Sequence, residues 1–315
     1  MIRRGTVTAR AGRTARKEPA WWCQLRDRVG VNLADQCLRA LRSRAVEIVE
    51  AAVLLVWDGR LATRDRSHVR SDPGDSLTAV VIETGSKRTF ASARDWPGWS
   101  RAGRTQEDAL EVLVAYGPRY GKVVQSARLE FAAPREPTDL KVVGRVKGDA
   151  GTDFGIPSSA WKDDAKPLEN RELKRLVSIL EVAWAAFDRT ARSAEGIELR
   201  KGPRGGGRDL EKIIEHVFEA EEAYLGQLGA RPPKRAGDRK ARVTGLRTAV
   251  LDALDARVHG RPLADPRNTK NPWTPRYAIR RTVWHALDHA WEVEDRASPE
   301  PDAKEARQTK GKRSP

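Results

Sequence analysis

Five histidines occur in the 315 residues, and three of them are spaced so that they could share one ion. His285 and His289 stand four apart in RRTVWHALDHAWEVEDR, so on a helix both imidazoles project from one face, about one turn from each other. His216, in IIEHVFEAEEAYL, falls three residues after Ile213 and four before Ala220, which turns it toward the same interior from a different helix. Three neutral imidazoles suit zinc, nickel or ferrous iron. A three-ligand set also leaves a position open for water or substrate, which is the arrangement of catalytic sites. Ordinary half-buried histidines share this spacing, so a structural role stays open. His68 and His259 sit in a polar run and at a helix end, where no role is needed.

A divalent ion at an open site lowers the pKa of bound water toward about 7 and deprotonates a coordinating thiol. Glu215, Glu219, Asp288 and Glu292 are close enough in sequence to orient imidazole N–H groups or relay protons, although a solvated helix face explains most such carboxylates. Asp288, beside the histidine pair, is the candidate catalytic residue. The run ELRKGPRGGGRDLEK places Lys201, Arg204 and Arg208 around three glycines at a helix N-terminus, which suits the carboxylate or phosphate of a cofactor. A flexible basic connection is the competing reading. No Gly-Lys-Ser/Thr follows, which excludes a P-loop. Trp184, Trp284 and Trp291 lie on or near the apolar stripes and read as core or pocket wall.

The elements that must position these residues are helices. Beyond Pro167 the apolar period is 3.6. Leu173, Leu176, Val177, Leu180, Ala183, Trp184 and Phe187 form the stripe of a first helix ending near Arg192. The second begins at Asp209 and buries Leu210, Ile213, Ile214, Val217, Ala220, Tyr224 and Leu228. The third carries Val243, Leu246, Val250, Leu254 and Val258 and stops at Gly260; the fourth opens with Thr274-Pro275 and ends before Pro299. Four such helices predict a bundle over 165–297. Ahead of it, LTAVVIET and RTFASA around Gly85-Ser86-Lys87 predict a hairpin, Trp96-Pro97-Gly98-Trp99 a turn, and Thr105 the cap of a helix. Strand-like QSARLEF (125–131) and LKVVGRV (140–146) complete a small α+β unit over 77–150. The expected fold class is therefore an α+β N-terminal unit followed by an all-α four-helix bundle, mainly α overall.

Residues 1–76 read as a basic, poorly ordered extension; Met1 is the only methionine, so a reading frame extended upstream of the true start would look the same. Residues 298–315 read as a disordered tail. The 59 basic and 44 acidic side chains give +15, yet residues 1–72 alone carry 15 basic and 8 acidic groups, close to half of that excess. The remainder is only mildly basic, which argues against nucleic acid as a partner. Cys23 and Cys37 form no disulfide framework and no Cys-x-x-Cys pair, which fits a cytoplasmic protein. The most apolar window, Val46 to Trp57, contains Glu47 and Glu50 and is too short to span a membrane.

The runs around the three histidines, covering about 168–296, resemble the DinB-like superfamily of four-helix bundles, whose members include mycothiol-dependent maleylpyruvate isomerase and bacillithiol transferases. That family's metal triad takes one histidine from the second helix and a His-x3-His pair from the fourth, which correspond to His216, His285 and His289. The resemblance implies a divalent metal, with mycothiol or another low-molecular-weight thiol as a second cofactor. FASARDWPGWSRAGRTQEDALEVL, within about 78–125, resembles the HicB antitoxin-type module, departing from it at Trp-Pro-Gly-Trp. The expected function is metal-assisted activation of a thiol or water for transfer, isomerisation or hydrolysis of a small electrophile, with a possible protein partner on the 77–150 unit. The alternative is a non-catalytic regulatory or antitoxin-like module that engages a protein or nucleic acid.

Overall fold

The structure, a computed structural model, describes residues 77–201 and 207–298. The expectations for 1–76, for Arg204 and for the tail from 299 lie outside the described residues. All the described residues belong to one compact unit. That unit is mixed α+β and mainly helical.

Its sheet has four strands, β1 (Thr78–Thr84), β2 (Thr89–Ala93), β3 (Ser100–Gly103) and β4 (Leu140–Lys147), in the order β3-β2-β1-β4. The first three pair antiparallel, and β4 returns parallel to β1 after the crossover helix α1 (Gln106–Gln125). A capping box starts α1: the Thr105 hydroxyl accepts from the Asp108 amide and the Asp108 carboxylate accepts from the Thr105 amide. The strand expected at 125–131 is not formed. Val123 and Val124 belong to the buried face of α1, which therefore runs on to Gln125, and Arg128 then takes a left-handed φ of 56°. Phe131 instead closes an aromatic cluster with Trp96, Trp99 and Tyr120 at centroid distances of 4.9–5.4 Å. The missing strand is replaced by β3, whose four residues, SRAG, carry no apolar alternation and are strand only because they pair with β2.

A short helix, α2 (Ala150–Phe154), leads to a strap that fastens the sheet to the last helix. Glu83 of β1, 1% exposed, accepts from the Thr152 hydroxyl at 2.6 Å and from the Ser158 and Ser159 amides. Buried Asp164 pairs with Arg280 at 2.6 Å, and that guanidinium lies 3.7 Å from the Trp161 ring centroid. Removing one partner of such a buried pair costs about 3–5 kcal/mol, because the other is left charged and dry.

Four longer helices follow: α3 (Asn170–Ser193), α4 (Leu210–Gln227), α5 (Arg239–Val258) and α6 (Pro275–Ala297). Asp209, Asp238 and Thr274 cap the last three by accepting from backbone amides three residues on. Helix α6 is the central element. It touches α3, α4 and α5, and 15 of its 23 residues are buried, including Arg280, Arg281 and Arg296. The turn at Gly98 approaches it so closely that a Cβ there would collide with Val283, and Gly98 has a φ of 86°. The segments 77–150 and 165–297 share one apolar core that runs from Val80 to Val293. No described helix is long and apolar enough to cross a membrane.

Candidate metal centre

The Asp209 cap sets the register of α4, and Thr274 with Pro275 in the first turn sets that of α6. Those registers bring His216 of α4 against His285 and His289 of α6. One ring nitrogen from each lies within 4.8 Å of the others, and the three form the one group with ligand spacing among the described residues. His216 Nε2 and His285 Nε2 are 3.3 Å apart. A tetrahedral ion with bonds of 2.0–2.1 Å separates its ligand nitrogens by about 3.3 Å, so this pair already has the spacing an ion needs. Ring centroids are 4.6–5.1 Å apart with interplanar angles of 65–85°, so the rings meet edge to face with their nitrogens converging.

His216 and His285 are kept neutral. Burial, then repulsion from His289, lowers the His216 pKa to about 4. His285, 7% exposed, is held well below the ordinary histidine value by burial first and then by His289 and His216. Their lone pairs are thus free of proton competition at neutral pH, as metal ligation requires. The site also has oriented support. His289 Nδ1 lies 2.8 Å from Glu292 Oε2, which directs the other nitrogen, Nε2, toward its neighbours. That hydrogen bond, with help from Arg296, holds the Glu292 carboxyl below its usual range. Arg296 donates to Glu292 Oε1 at 2.7 Å and to the backbone carbonyls of Arg200 and Arg208, so one guanidinium ties the histidine-bearing helix to both sides of the glycine-rich stretch.

One helical turn from His285, Arg281 donates to the Tyr224 hydroxyl at 3.2 Å, and the Tyr224 ring lies 5.8 Å from that of His285. Burial pushes the Tyr224 phenol up, so it stays protonated at neutral pH.

Other sequence-derived candidates lie elsewhere. Asp288 faces away from the imidazoles: its carboxylate accepts from Arg101 of β3 at 2.7 Å, and that guanidinium stacks between Tyr116 and Trp291. Successive helical residues point about 100° apart, so adjacency to His289 in the chain is separation in space. Glu215 pairs with Arg235 and Arg242, and Glu219 is exposed. Lys201 is exposed; Arg208 is exposed too, but its charge reaches His216 and His285 and opposes their protonation. Trp184, Trp284 and Trp291 are buried. The partner role of Glu292 was readable from its i,i+3 spacing to His289. The inward turn of Arg281 and Arg296 carried no local signal. Compared with family models, curated proteins and solved structures, the chain finds no match.

Proposed function

We propose that the protein binds a divalent metal through His216, His285 and His289, and that it is a DinB-like enzyme acting on a small electrophile with a low-molecular-weight thiol or water. The observation that carries this reading is the convergence of three imidazoles from two helices, two of them at the nitrogen spacing of a tetrahedral ion. The order of elements is in keeping with it, since α4 and α6 are the second and fourth of four successive long helices. A bound divalent ion would supply an open Lewis-acidic position at which a thiol or water loses its proton near neutral pH. The chain's own residues do the rest: Glu292 holds the His289 proton at Nδ1, and Arg281 and Tyr224 present a cation and a protonated hydroxyl one turn away. The strand, Pro-Gly turn and capped helix of residues 89–125 support a HicB-like accessory module tied to α6 through Arg101 and Arg119.

Elemental mass spectrometry of tag-free protein tests the site. Near one equivalent of metal in the wild type and its loss in both His216→Ala and His285→Ala is expected. No metal after reconstitution with zinc, nickel and iron would sink the reading. For the enzymatic part, thiol consumption with electrophilic substrates should vanish in a folded His285→Ala variant; unchanged turnover would refute it.

A further inference from the structure

Helix α6 carries its chemistry on one stripe. His285, His289, Glu292 and Arg296 follow one another at steps of four, three and four residues, so their side chains lie along a single face of the helix. The last two are not among the ligands, yet they carry a chain of hydrogen bonds from the His289 ring to backbone outside the helix. Glu292 is held from both sides: Oε2 accepts from His289 Nδ1 at 2.8 Å and Oε1 accepts from Arg296 Nη1 at 2.7 Å. The acids that follow it, Glu294 and Asp295, are taken by Arg119 instead.

The Arg296 guanidinium is in turn fixed by main chain. It is 9% exposed, and it donates from Nε to the Arg200 carbonyl at 2.7 Å and from Nη2 to the Arg208 carbonyl at 2.8 Å. The Arg200 amide answers by donating to the Arg296 carbonyl at 3.0 Å. Gly207 lies so close that a Cβ there would stand 2.7 Å from Nη2 and 2.8 Å from Cζ, and its φ of 141° favours glycine as well. Three nitrogens with one acceptor each leave the planar fork a single orientation, and through it the Glu292 carboxylate.

We propose that Arg296 is a positioning residue of the metal centre: held by the Arg200 and Arg208 carbonyls, it fixes Glu292, and Glu292 fixes the tautomer and plane of His289 so that Nε2 faces the ion. This role rests on the metal reading above and adds a second tier of support to it. Without the guanidinium, the Glu292 carboxylate, 34% exposed, turns to water, and the His289 ring loses the acceptor that keeps its proton at Nδ1. The sign of the effect separates this role from plain electrostatics. Removing a cation near a divalent ion relieves repulsion and should tighten metal binding, whereas losing a positioning residue should weaken it.

Zinc affinity of the full chain by chelator competition, together with ring-nitrogen NMR of the metal-free protein at pH 8, tests this. Arg296→Gln should weaken zinc binding by about tenfold, the low end for groups that orient a ligand. In the same metal-free variant the His289 proton should spread over Nδ1 and Nε2, where the wild type holds it at Nδ1. Gly207→Ala keeps every charge and every ligand, and position 207 is exposed, so it serves if Arg296→Gln fails to fold. It should weaken zinc binding in the same direction by pushing the guanidinium aside. Tighter or unchanged zinc binding in either folded variant, or a His289 proton that stays at Nδ1 in folded Arg296→Gln, would overturn the proposal. A wild type that binds no zinc would refute the metal reading itself and this role with it, an outcome distinct from zinc binding that ignores Arg296.

Discussion

The two sides of helix α4 handle buried ionisable groups in opposite ways. On one side His216 meets His285 and His289 at ligand spacing, and burial disfavours the protonated forms of His216 and His285. On the other, burial makes an acid hold its proton: Glu221 shares Arg247 with Asp188 and titrates near neutrality. The same desolvation acts on both and always disfavours the charged form. What differs is how each side answers it. Ring nitrogens converging at ligand spacing could hold a metal ion, whereas Glu221, which shares Arg247 with Asp188, answers by holding its proton.

The sharpest way to break this comparison is to add metal. Zinc at about a thousandfold over its dissociation constant should raise the stability of the wild type by about 4 kcal/mol, read as an increase in melting temperature that a chelator reverses. His216→Ala should show almost none of that increase, whereas Glu221→Gln should show all of it. If Glu221→Gln loses the metal effect, the two sides are not independent.

Titration should separate the sides by sign. The pKa values of His216 and His285 are depressed in the fold, so the stability they contribute is present above about 6.5 and is lost as pH falls, for His216 through about 4. Glu221 runs the other way. Its pKa is raised from 4.5 to about 7, so its contribution is complete below 4.5 and is lost as pH rises through 7, by up to about 3 kcal/mol. Urea unfolding of metal-free protein between these limits should therefore show that Glu221→Gln is steeper than wild type at the acidic end and flatter near neutrality. Superimposable profiles would mean that the Glu221 pKa is the same in the folded and unfolded states.

A smaller effect tests the support around the histidines. Glu292→Ala should weaken metal affinity by about 10–100-fold in chelator competition, since it frees the His289 ring and unties Arg296. Smallest of all should be Asp288→Asn. The carboxylate is 37% exposed and pairs with Arg101, so the loss should be about 1 kcal/mol or less, with metal content intact. A large fall in metal content for Asp288→Asn together with none for Glu292→Ala would reverse the assignment of these two residues.

Much of the site was readable locally. The i,i+4 spacing of His285 and His289, the placement of His216 on the stripe of its own helix, and the caps at Asp209, Asp238 and Thr274 are short-range features, and helices obey them because their hydrogen bonds close within four residues. The same rules misled at 125–131, where alternation suggested a strand but a capped helix had already claimed Gln125. They also gave no sign of β3, whose identity lies wholly in its pairing with β2.

The choice between Asp288 and Glu292 depended on which neighbour each met across space, Arg101 from the sheet or His289 from the same helix. Glu221 sits in the acidic run EAEEA, where composition suggests solvent, and Arg280, Arg281 and Arg296 look like a polar face for α6. Periodicity and capping residues were sufficient to place helices and to align three histidines, because those constraints act within a turn or two of chain. Which charged side chains ended up dry was settled by long-range packing: α6 is enclosed by three helices and a sheet, so its arginines have no water to face, and α4 meets α5 where Glu221 projects.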